Sequence, residues 1–456
     1  MIPLSYAQQR LWFLSRLDHS PAYNVPVAIR LRGTVERENL RAALGDVLVR
    51  HEALRTVFPA VDGEPYQRII ASGAAILPWA DWDCTADELD DAVAHAARYV
   101  FDLTTELPIR ATLLRVGPAE RVLLVVMHHI VSDGWSLTPL LRDIATGYRA
   151  RCAGEAPEWE PLPVQYADYT LWQQELLGDE SDTDSVAATQ LAYWTKTLDA
   201  LPEEVTLRGD RPRPAIPSHH GDVAGLALDV DTHAALMRVA DAEQVTLFML
   251  LQAALAAALT RLGAGSDIVL GSPVAGRLDD ALDDLVGFFV NTLVLRTDTS
   301  GNPSFRELLA RVRATDLAAF AHQDVPFERI VAELNPERSL TRHPLFQVML
   351  VLQNNEQARL DLPDLEVSGQ LAATRTAKFD LTVAFSEIRG PHGEPAGIDG
   401  DLEYATDLFD RGSVELLIRC VRRMVEAMIA DPHARIGDVD LLSGADRRLL
   451  EGWNDT

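Results

Sequence analysis

Two adjacent histidines, followed by an aspartate and a glycine, form the segment of this chain with the clearest potential for chemistry. His128, His129, Asp133 and Gly134 come directly after the apolar run 122–127, which predicts a buried β-strand. Imidazole and carboxylate groups are costly to bury without partners, whereas a neutral imidazole can accept a proton near pH 7 or hold a nucleophile. We therefore predict a reaction site here, with a satisfied pair of core histidines as the structural alternative.

The residues of this segment are expected to have different tasks. Because neighbours in an extended segment point to opposite faces, one of His128 and His129 supports the loop while the other enters a cavity. Asp133 is short and close to the turn, so we expect it to accept from backbone amides or pair with a distant arginine. Gly134 permits a positive φ or a close approach of backbone to substrate. Trp135 is either a core residue or a pocket wall.

Metal binding is the competing chemical interpretation of the histidine segment. A third ligand at matching spacing is missing nearby, so we predict no metal site. The doublet His219-His220 lies in a proline-rich stretch with no preceding strand and is predicted to be surface. Cys84, Cys152 and Cys420 are far apart and odd in number, which argues against a disulfide framework and against a zinc site.

The predicted elements around the segment place it between a strand and a helix. A strand over 121–127 precedes it, and Ser136 or Thr138 can cap a following helix that has Pro139 in its first turn and ends near Gly154. Acidic residues 178–185 and proline-rich residues 209–222 predict breaks. The other expected elements are helices at 36–49, 87–99, 231–243, 247–261 and 304–320, and strands at 109–116, 223–228, 268–271, 288–296 and 345–352.

Composition limits the classes of function. With 456 residues, 47% hydrophobic and 24% charged, the chain is typical of a globular protein with large cores. Its formal charge of −27 disfavours a nucleic-acid or anionic-membrane binder. No basic and apolar leader predicts a signal peptide, and the apolar segment 247–259 is too short to span a bilayer. We expect a cytoplasmic location.

The histidine segment resembles the His-His-x-x-x-Asp-Gly signature of condensation domains of nonribosomal peptide synthetases. The resemblance continues, in the order typical of that family, from about residue 3 to the end of the chain. Six further segments carry it: 5–14, 50–58, 166–172, 286–293, 322–328 and 338–345.

This resemblance implies an α/β fold of two chloramphenicol-acetyltransferase-like lobes, set as a V-shaped pseudo-dimer with a tunnel between them. The lobes are expected at 1–178 and 179–440, with 441–456 leading into an adenylation domain. By resemblance, His129 is the catalytic residue, and Arg277 of the second lobe pairs with Asp133. The remaining implied residues are His128 and Gly134 as supports of the site and Trp135, Ser136 and Asn291 as tunnel lining.

The implied reaction is amide-bond formation between two carrier-bound thioesters. An upstream carrier protein offers the donor, a downstream carrier offers the amine, and both supply phosphopantetheine, so the chain itself needs no cofactor or metal. Segments 5–12 and 287–292 resemble domains that join an L-configured donor to an L-configured acceptor, and a monomer is expected. A docking module for a partner enzyme, a starter acyltransferase and an epimerisation domain remain as alternatives.

Overall fold

A computed structural model describes residues 1–18, 20–202, 207, 209–336, 339, 341–353, 360–371 and 376–441. Helices and strands alternate along both halves of this part of the chain. Its helices are α1 (Tyr6–Asp18), α2 (Arg37–Arg50), α3 (Leu89–Ala97), α4 (Leu137–Cys152), α5 (Tyr166–Leu177), α6 (Val186–Thr197), α7 (Val230–Glu243), α8 (Leu247–Arg261), α9 (Phe305–Phe320), α10 (Phe327–Leu334) and α11 (Arg411–Ala430).

The strands of the described residues form one small and two large sheets. They are β1 (Ile2–Pro3), β2 (Asn24–Gly33), β3 (Thr56–Val57), β4 (Ala60–Val61), β5 (Glu64–Ile69), β6 (Trp79–Asp83), β7 (Ile109–Arg115), β8 (Glu120–His128), β9 (Gly221–Gly225), β10 (Asp267–Val274), β11 (Asn291–Asp298), β12 (Val348–Gln353), β13 (Leu365–Leu371), β14 (Leu381–Arg389) and β15 (Pro395–Ala405).

The first large sheet holds the histidine segment and has the order β13-β2-β8-β7-β6. β8 is its central strand and pairs antiparallel with β2 and β7. All residues of β8 from Val122 onward are buried, which explains why they read as an unbroken apolar run. Helices α2 and α4 pack against each other, and their apolar faces complete the first core.

The second large sheet has the order β11-β10-β12-β14-β15-β9. Its core is built with α7, α8, α9 and α11, and α8 is the most deeply buried of them. The predicted helix 247–261 matches α8, and the predicted helix 304–320 matches α9. Ser304 and Glu307 form a reciprocal capping box at the start of α9, which satisfies backbone N–H groups at that end.

Two segments from the second half of the chain contribute to the first lobe. Strand β13 pairs antiparallel with β2, with Val367 opposite Leu31. Residues Leu282, Leu285, Val286 and Phe289 pack in the first core. After the linker that follows α5, the chain therefore leaves the second lobe twice, packs against the first lobe and returns each time.

The predicted strand 288–296 was wrong at its start. β11 begins at Asn291, opposite Val274, because Phe289 just before it is buried in the first core instead of the second. The division of the lobes at residue 178 stays a prediction. The predicted lead-out segment lies outside the described residues from 442 onward, as does Arg338 at the start of the segment 338–345.

No single helix among the described residues has both the length and the apolarity needed to cross a membrane. Taken together, α7 and α8 have the length and apolar composition of a span, but the two helices are bent by 101° with respect to each other.

Candidate active site

Strand β8 brings the histidine segment to the end of the first sheet, next to the start of α4. The register places His128, its last residue, opposite Asn24 of β2. A 3-10 turn over His129–Val131 follows, and α4 begins at Leu137. Because β8 is fixed on both sides by neighbouring strands, the turn starts from a rigid position, as a site that must hold its geometry requires.

His128 is enclosed in the protein and supports the turn. Its ring is buried, and Nδ1 accepts a hydrogen bond from the backbone N–H of Ile130 at 3.1 Å. Burial, with smaller effects of His129 and Lys378, lowers the pKa of His128 to about 3. A neutral imidazole that accepts a backbone bond holds the turn that presents the next residue.

His129 has one ring nitrogen bound to the backbone and the other free of partners among the described residues. Its Nδ1 lies 2.7 Å from the carbonyl oxygen of Ser132, so Nδ1 carries the hydrogen and donates it, which leaves a lone pair on Nε2. The ring is half-buried and meets the Phe288 ring edge-on, with 4.8 Å between ring centres. Burial and then the charge of Lys378 lower the pKa of His129 to about 3, so the ring is neutral near pH 7.

The carboxylate of Asp133 is fully buried and ties the two halves of the site together. Oδ1 accepts from the backbone N–H of Ser136 at 2.8 Å, and Oδ2 accepts from the backbone N–H of Phe289 at 2.9 Å. Phe289 belongs to residues 282–289, the crossing segment, with which the second half of the chain packs against the first core. Asp133 therefore holds this crossing segment against the start of α4.

Ser136 acts at the same junction and does not cap the helix. It occupies the N-cap position of α4, but its side chain makes no capping bond, so the predicted capping is wrong. Its Oγ lies 2.8 Å from both Asp133 Oδ1 and the carbonyl oxygen of Gly287, and accepts from the N–H of Gly287 at 3.1 Å. The hydroxyl is used to dock the crossing segment.

Arg277 reaches the junction from the second half of the chain. Its Nη2 lies 3.4 Å from Asp133 Oδ1 and 3.1 Å from Ser136 Oγ, and its guanidinium stacks over the Phe289 ring at 4.2 Å. Nη1 donates to the carbonyl oxygens of Leu282 and Leu285. Since both charges of the Asp133–Arg277 pair are buried, removing one partner is expected to cost about 3–5 kcal/mol.

Three glycines near the site differ in the space beside their Cα atoms. Gly134 is exposed, its φ is not positive, and a Cβ added there would meet nothing within 4 Å. Of its two predicted roles, the positive φ is therefore wrong, whereas the close approach to substrate stays a prediction. At Gly287 a Cβ would lie 2.3 Å from the Tyr166 ring, and at Gly276, with φ +66°, it would lie 1.9 Å from the Phe289 carbonyl oxygen. These two positions require glycine.

The remaining sequence-predicted residues lie at the margin of this cluster. Trp135 is half-buried and is absent from both hydrophobic cores. The Asn291 side chain is fully occupied: Nδ2 donates to Gln323 and Val325 at 2.8 Å each, and Oδ1 accepts from Phe327 N–H at 2.9 Å. The described residues contain no group of three or more potential metal ligands.

Two residues near the site escaped the sequence analysis. Tyr166 O–H donates to the backbone carbonyl oxygen of Phe288 at 2.7 Å. This bond holds the backbone of the residue whose ring contacts His129. Lys378 is half-buried and acts on the pKa values of both histidines. Tyr166 lay in a motif already noted, but only the folded chain shows its partner, and nothing near Lys378 in the sequence marks it.

The condensation domain family matches residues 1–451 of this chain, so the chain belongs to that family of nonribosomal peptide synthetase domains. Its fold is the two-lobed, chloramphenicol-acetyltransferase-like α/β architecture of the family. The expectation of the fold class is thereby confirmed.

Two relatives show the context in which such chains occur. A probable non-canonical nonribosomal peptide synthetase, CymA, of Salinispora arenicola is 57% identical over 444 residues, which cover 97% of this chain and 6% of that protein. A dimodular nonribosomal peptide synthase of Bacillus subtilis is 54% identical over 443 residues, covering 97% of this chain and 19% of that protein. The chain thus spans less than a fifth of the length of either relative.

Among solved structures, the chain is similar to the X-domain from teicoplanin biosynthesis, crystallised in complex with OxyB. The TM-score is 0.90 at 38% sequence identity, and the match covers 97% of this chain and 96% of the X-domain. That structure is a complex of the X-domain with a second protein, OxyB.

Proposed function

We propose that this chain forms an amide bond between two carrier-bound substrates in a tunnel between its lobes. The observation that carries the proposal is the fixed, neutral ring of His129, whose Nε2 lone pair is left free while Nδ1 is held by the Ser132 carbonyl. Asp133, Ser136 and Arg277 support this position by docking the second half of the chain against it.

The reaction joins an amine to a thioester. The acceptor amine attacks the donor carbonyl carbon, a C–N bond forms, and the carbonyl electrons move to oxygen. The C–S bond then breaks, the phosphopantetheine thiolate of the donor carrier leaves, and the proton lost by the amine balances its charge. The product is the elongated chain on the acceptor carrier.

Positioning is the larger contribution that His129 makes in this proposal. A group with a pKa of about 3 is a weak base near pH 7, whereas a general base works best with a pKa near the working pH. The same Nε2 lone pair can accept a hydrogen bond from the N–H of a neutral amine and aim the amine at the carbonyl. Holding two tethered reactants in attack geometry can supply about 7–11 kcal/mol of the barrier.

The partners follow from the same proposal. An upstream donor carrier and a downstream acceptor carrier bring their own phosphopantetheine, and an adenylation domain adjoins the chain. We propose an L-configured donor and an L-configured acceptor, which is supported by the resemblance of segments 5–12 and 287–292 to domains of that type.

The direct test mixes the chain with a donor-loaded carrier and an acceptor-loaded carrier and follows the acceptor carrier by intact mass. Transfer of the donor mass, strongly reduced in the His129→Ala variant, is expected. Donors of D configuration test the subtype in the same assay. No transfer with any of several loaded pairs would contradict the proposal.

A second candidate function is recruitment of a partner enzyme, favoured by the similarity to the X-domain that was crystallised with OxyB. The retained His129, Asp133 and Gly134 argue for catalysis, but a docking role needs none of them. Binding of a partner enzyme from the same pathway, together with absence of transfer and no effect of His129→Ala on that binding, would establish this second candidate.

A further inference from the structure

Lys378 occupies an unusual position, on the chain segment that returns from the first sheet to the second. This segment lies between β13 of the first sheet and β14 of the second. Ala377 N–H donates to the carbonyl oxygen of His219 at 2.9 Å, and the carboxylate of Asp380 is held by both terminal nitrogens of Arg213. Lys378 is thus anchored on both sides at the junction of the lobes.

The Lys378 side chain lies beside the end of β8 that carries the histidines. Its Nζ lies 5.3 Å from the centre of the Tyr23 ring. Tyr23 directly precedes Asn24, which is opposite His128 in the sheet. In agreement with this placement, the Lys378 charge is the largest cause after burial of the lowered pKa of His129.

The ammonium of Lys378 has no close counter-ion among the described residues. The described residues show no ion pair to Nζ, although the charge of Glu403, whose carboxylate accepts from the Lys378 backbone, acts on it. Burial is the largest effect on the pKa of Lys378 and lowers it. Since a buried cation is costly unless an opposite charge pairs with it closely, we expect a negative charge that arrives with the substrate to offset this cost.

The composition of the chain makes this residue stand out further. Only two of the 41 basic side chains are lysines, Lys196 and Lys378, and Lys196 is exposed. Arginine is otherwise used throughout, including in the buried pair with Asp133. Lysine differs by concentrating its charge on one small group, which suits a single oxygen atom better than a planar carboxylate.

We propose that the ammonium of Lys378 stabilises the negative charge that develops on the donor carbonyl oxygen when the acceptor amine attacks. This inference rests on the proposed function. In the step concerned, the C–N bond forms and the carbonyl π electrons move to oxygen, next to the Lys378 ammonium. Collapse restores the carbonyl and expels the donor thiolate, and Lys378 keeps its proton throughout.

The first test measures single-turnover transfer with Lys378→Met, Lys378→Arg and, as the matched control, Lys196→Met. Loss of one stabilising group of this kind typically costs about 10²–10³-fold in rate, so we expect a fall of about 10²-fold for Lys378→Met, a smaller fall for Lys378→Arg and none for Lys196→Met. Thermal unfolding of each variant separates a lost charge from a lost fold. A folded Lys378→Met variant that keeps its rate within about threefold overturns the inference.

A second test needs neither a variant nor catalysis. Reductive methylation with ¹³C-formaldehyde labels only Lys378, Lys196 and the N-terminal amine, and each methyl signal can be followed by NMR. The probe is a pantetheine-linked phosphonate, an anion that imitates the tetrahedral oxyanion, compared with the neutral pantetheine amide. We expect the phosphonate to shift the Lys378 signal far more than the amide does and to leave Lys196 unchanged.

The two tests keep this inference separate from the proposed function. Transfer by the wild-type chain, with no response of Lys378 to the phosphonate and no rate loss in Lys378→Met, removes the role of Lys378 and leaves the function standing. Absence of transfer, with a selective response of Lys378 to the phosphonate, removes the function and leaves an anion-binding lysine. Absence of both removes both.

Discussion

At the scale of single residues, His129 offers a direct choice between base and positioning roles. Glutamine at this position places an uncharged acceptor oxygen near the site of Nε2, whereas asparagine keeps only a donor near Nδ1 for the Ser132 carbonyl. We expect His129→Gln to transfer at least about tenfold faster than His129→Asn, because the acceptor of the amine N–H is retained. The measurement is single-turnover transfer with saturating loaded carriers. Equal, severe losses in both variants would show that basicity is required.

The pH dependence of transfer gives a second view of the same residue. Because the pKa of His129 is lowered to about 3, its protonation does not change between pH 5.5 and 8.5. We expect the rate to rise with pH as the acceptor α-amine loses its proton, at about pH 7.7–8.0 for a free α-amine. A step near pH 6.5 that disappears in His129→Gln would contradict this expectation.

We predict that the free energy of unfolding depends on pH through Asp316, which lies away from the active site. It is fully buried on α9, Oδ1 accepts from Gln252 Nε2 at 3.1 Å, and burial raises its pKa to about 7. The neutral form is therefore favoured in the folded state. Its stabilisation is fully present below the ordinary pKa of 3.8 and is lost as the pH rises toward about 7.

The substitution Asp316→Asn tests this effect. Asparagine stays neutral, and its amide can donate to Gln252 Oε1, which has no partner among the described residues. We expect the variant to be more stable than wild type at pH 8 by on the order of 1–3 kcal/mol, with a smaller difference at pH 5. Urea unfolding at both pH values measures it. A difference that is the same at pH 5 and pH 8 would contradict the assignment to Asp316.

The sequence, with the family resemblance, singled out residues that meet at the candidate site, but it did not give their contacts. His128, His129 and Asp133 stood out because polar groups followed an apolar strand, and Arg277 was named only through the family resemblance. The role of Ser136 was misjudged because its partner, Gly287, lies 151 residues away. Lys378 gave no signal, since a single lysine acquires meaning only from the sheet end beside it.

At the scale of elements, the segment that crosses between the lobes carries a matched pair of predictions. Gly287→Ala places a Cβ 2.3 Å from the Tyr166 ring, so the segment must move and the Phe288 contact with His129 is disturbed. Gly134→Ala meets open space in the free protein. We expect Gly287→Ala to lower both the unfolding temperature and the transfer rate.

Gly134→Ala is the control for this pair. We expect an unchanged unfolding temperature, because nothing lies within 4 Å of the added Cβ. A fall in transfer rate alone would then locate a close approach of substrate at Gly134. Thermal unfolding of both variants decides the matter, and equal unfolding temperatures in the two would show that the segment tolerates the methyl group.

Some helices were predicted with nearly the observed bounds, whereas α11, a regular helix of 20 residues, was not predicted. Helices α8 and α9 were both predicted close to their observed bounds. β13 could not be assigned, because its partner β2 lies more than 300 residues earlier in the chain. The start of β11 was missed because Phe289, which was taken as part of the strand, is buried in the first core and not in the core beside β11.

At the scale of the whole molecule, the two lobes are connected by several packed contacts in addition to the linker after α5. β13 extends the first sheet, residues 282–289 fill part of the first core, and Arg277 reaches the buried Asp133. Opening the lobes would expose apolar surface of these segments and separate a buried charge pair. We therefore expect the two sheets to lose their structure together.

Hydrogen exchange in rising urea tests this coupling with β8 as the reporter of the first sheet and β12 as the reporter of the second. In the wild-type chain, amides of both strands should open with the same free energy and the same urea dependence, because unfolding one lobe removes the partner of the other. Arg277→Met removes one connection and leaves Asp133 without its counter-ion, so the free energy of opening should fall by about 3–5 kcal/mol in both strands. If β8 opened at a clearly lower free energy than β12 in the wild type, the lobes would be independent folding units, and the crossing segments would serve only to position the site.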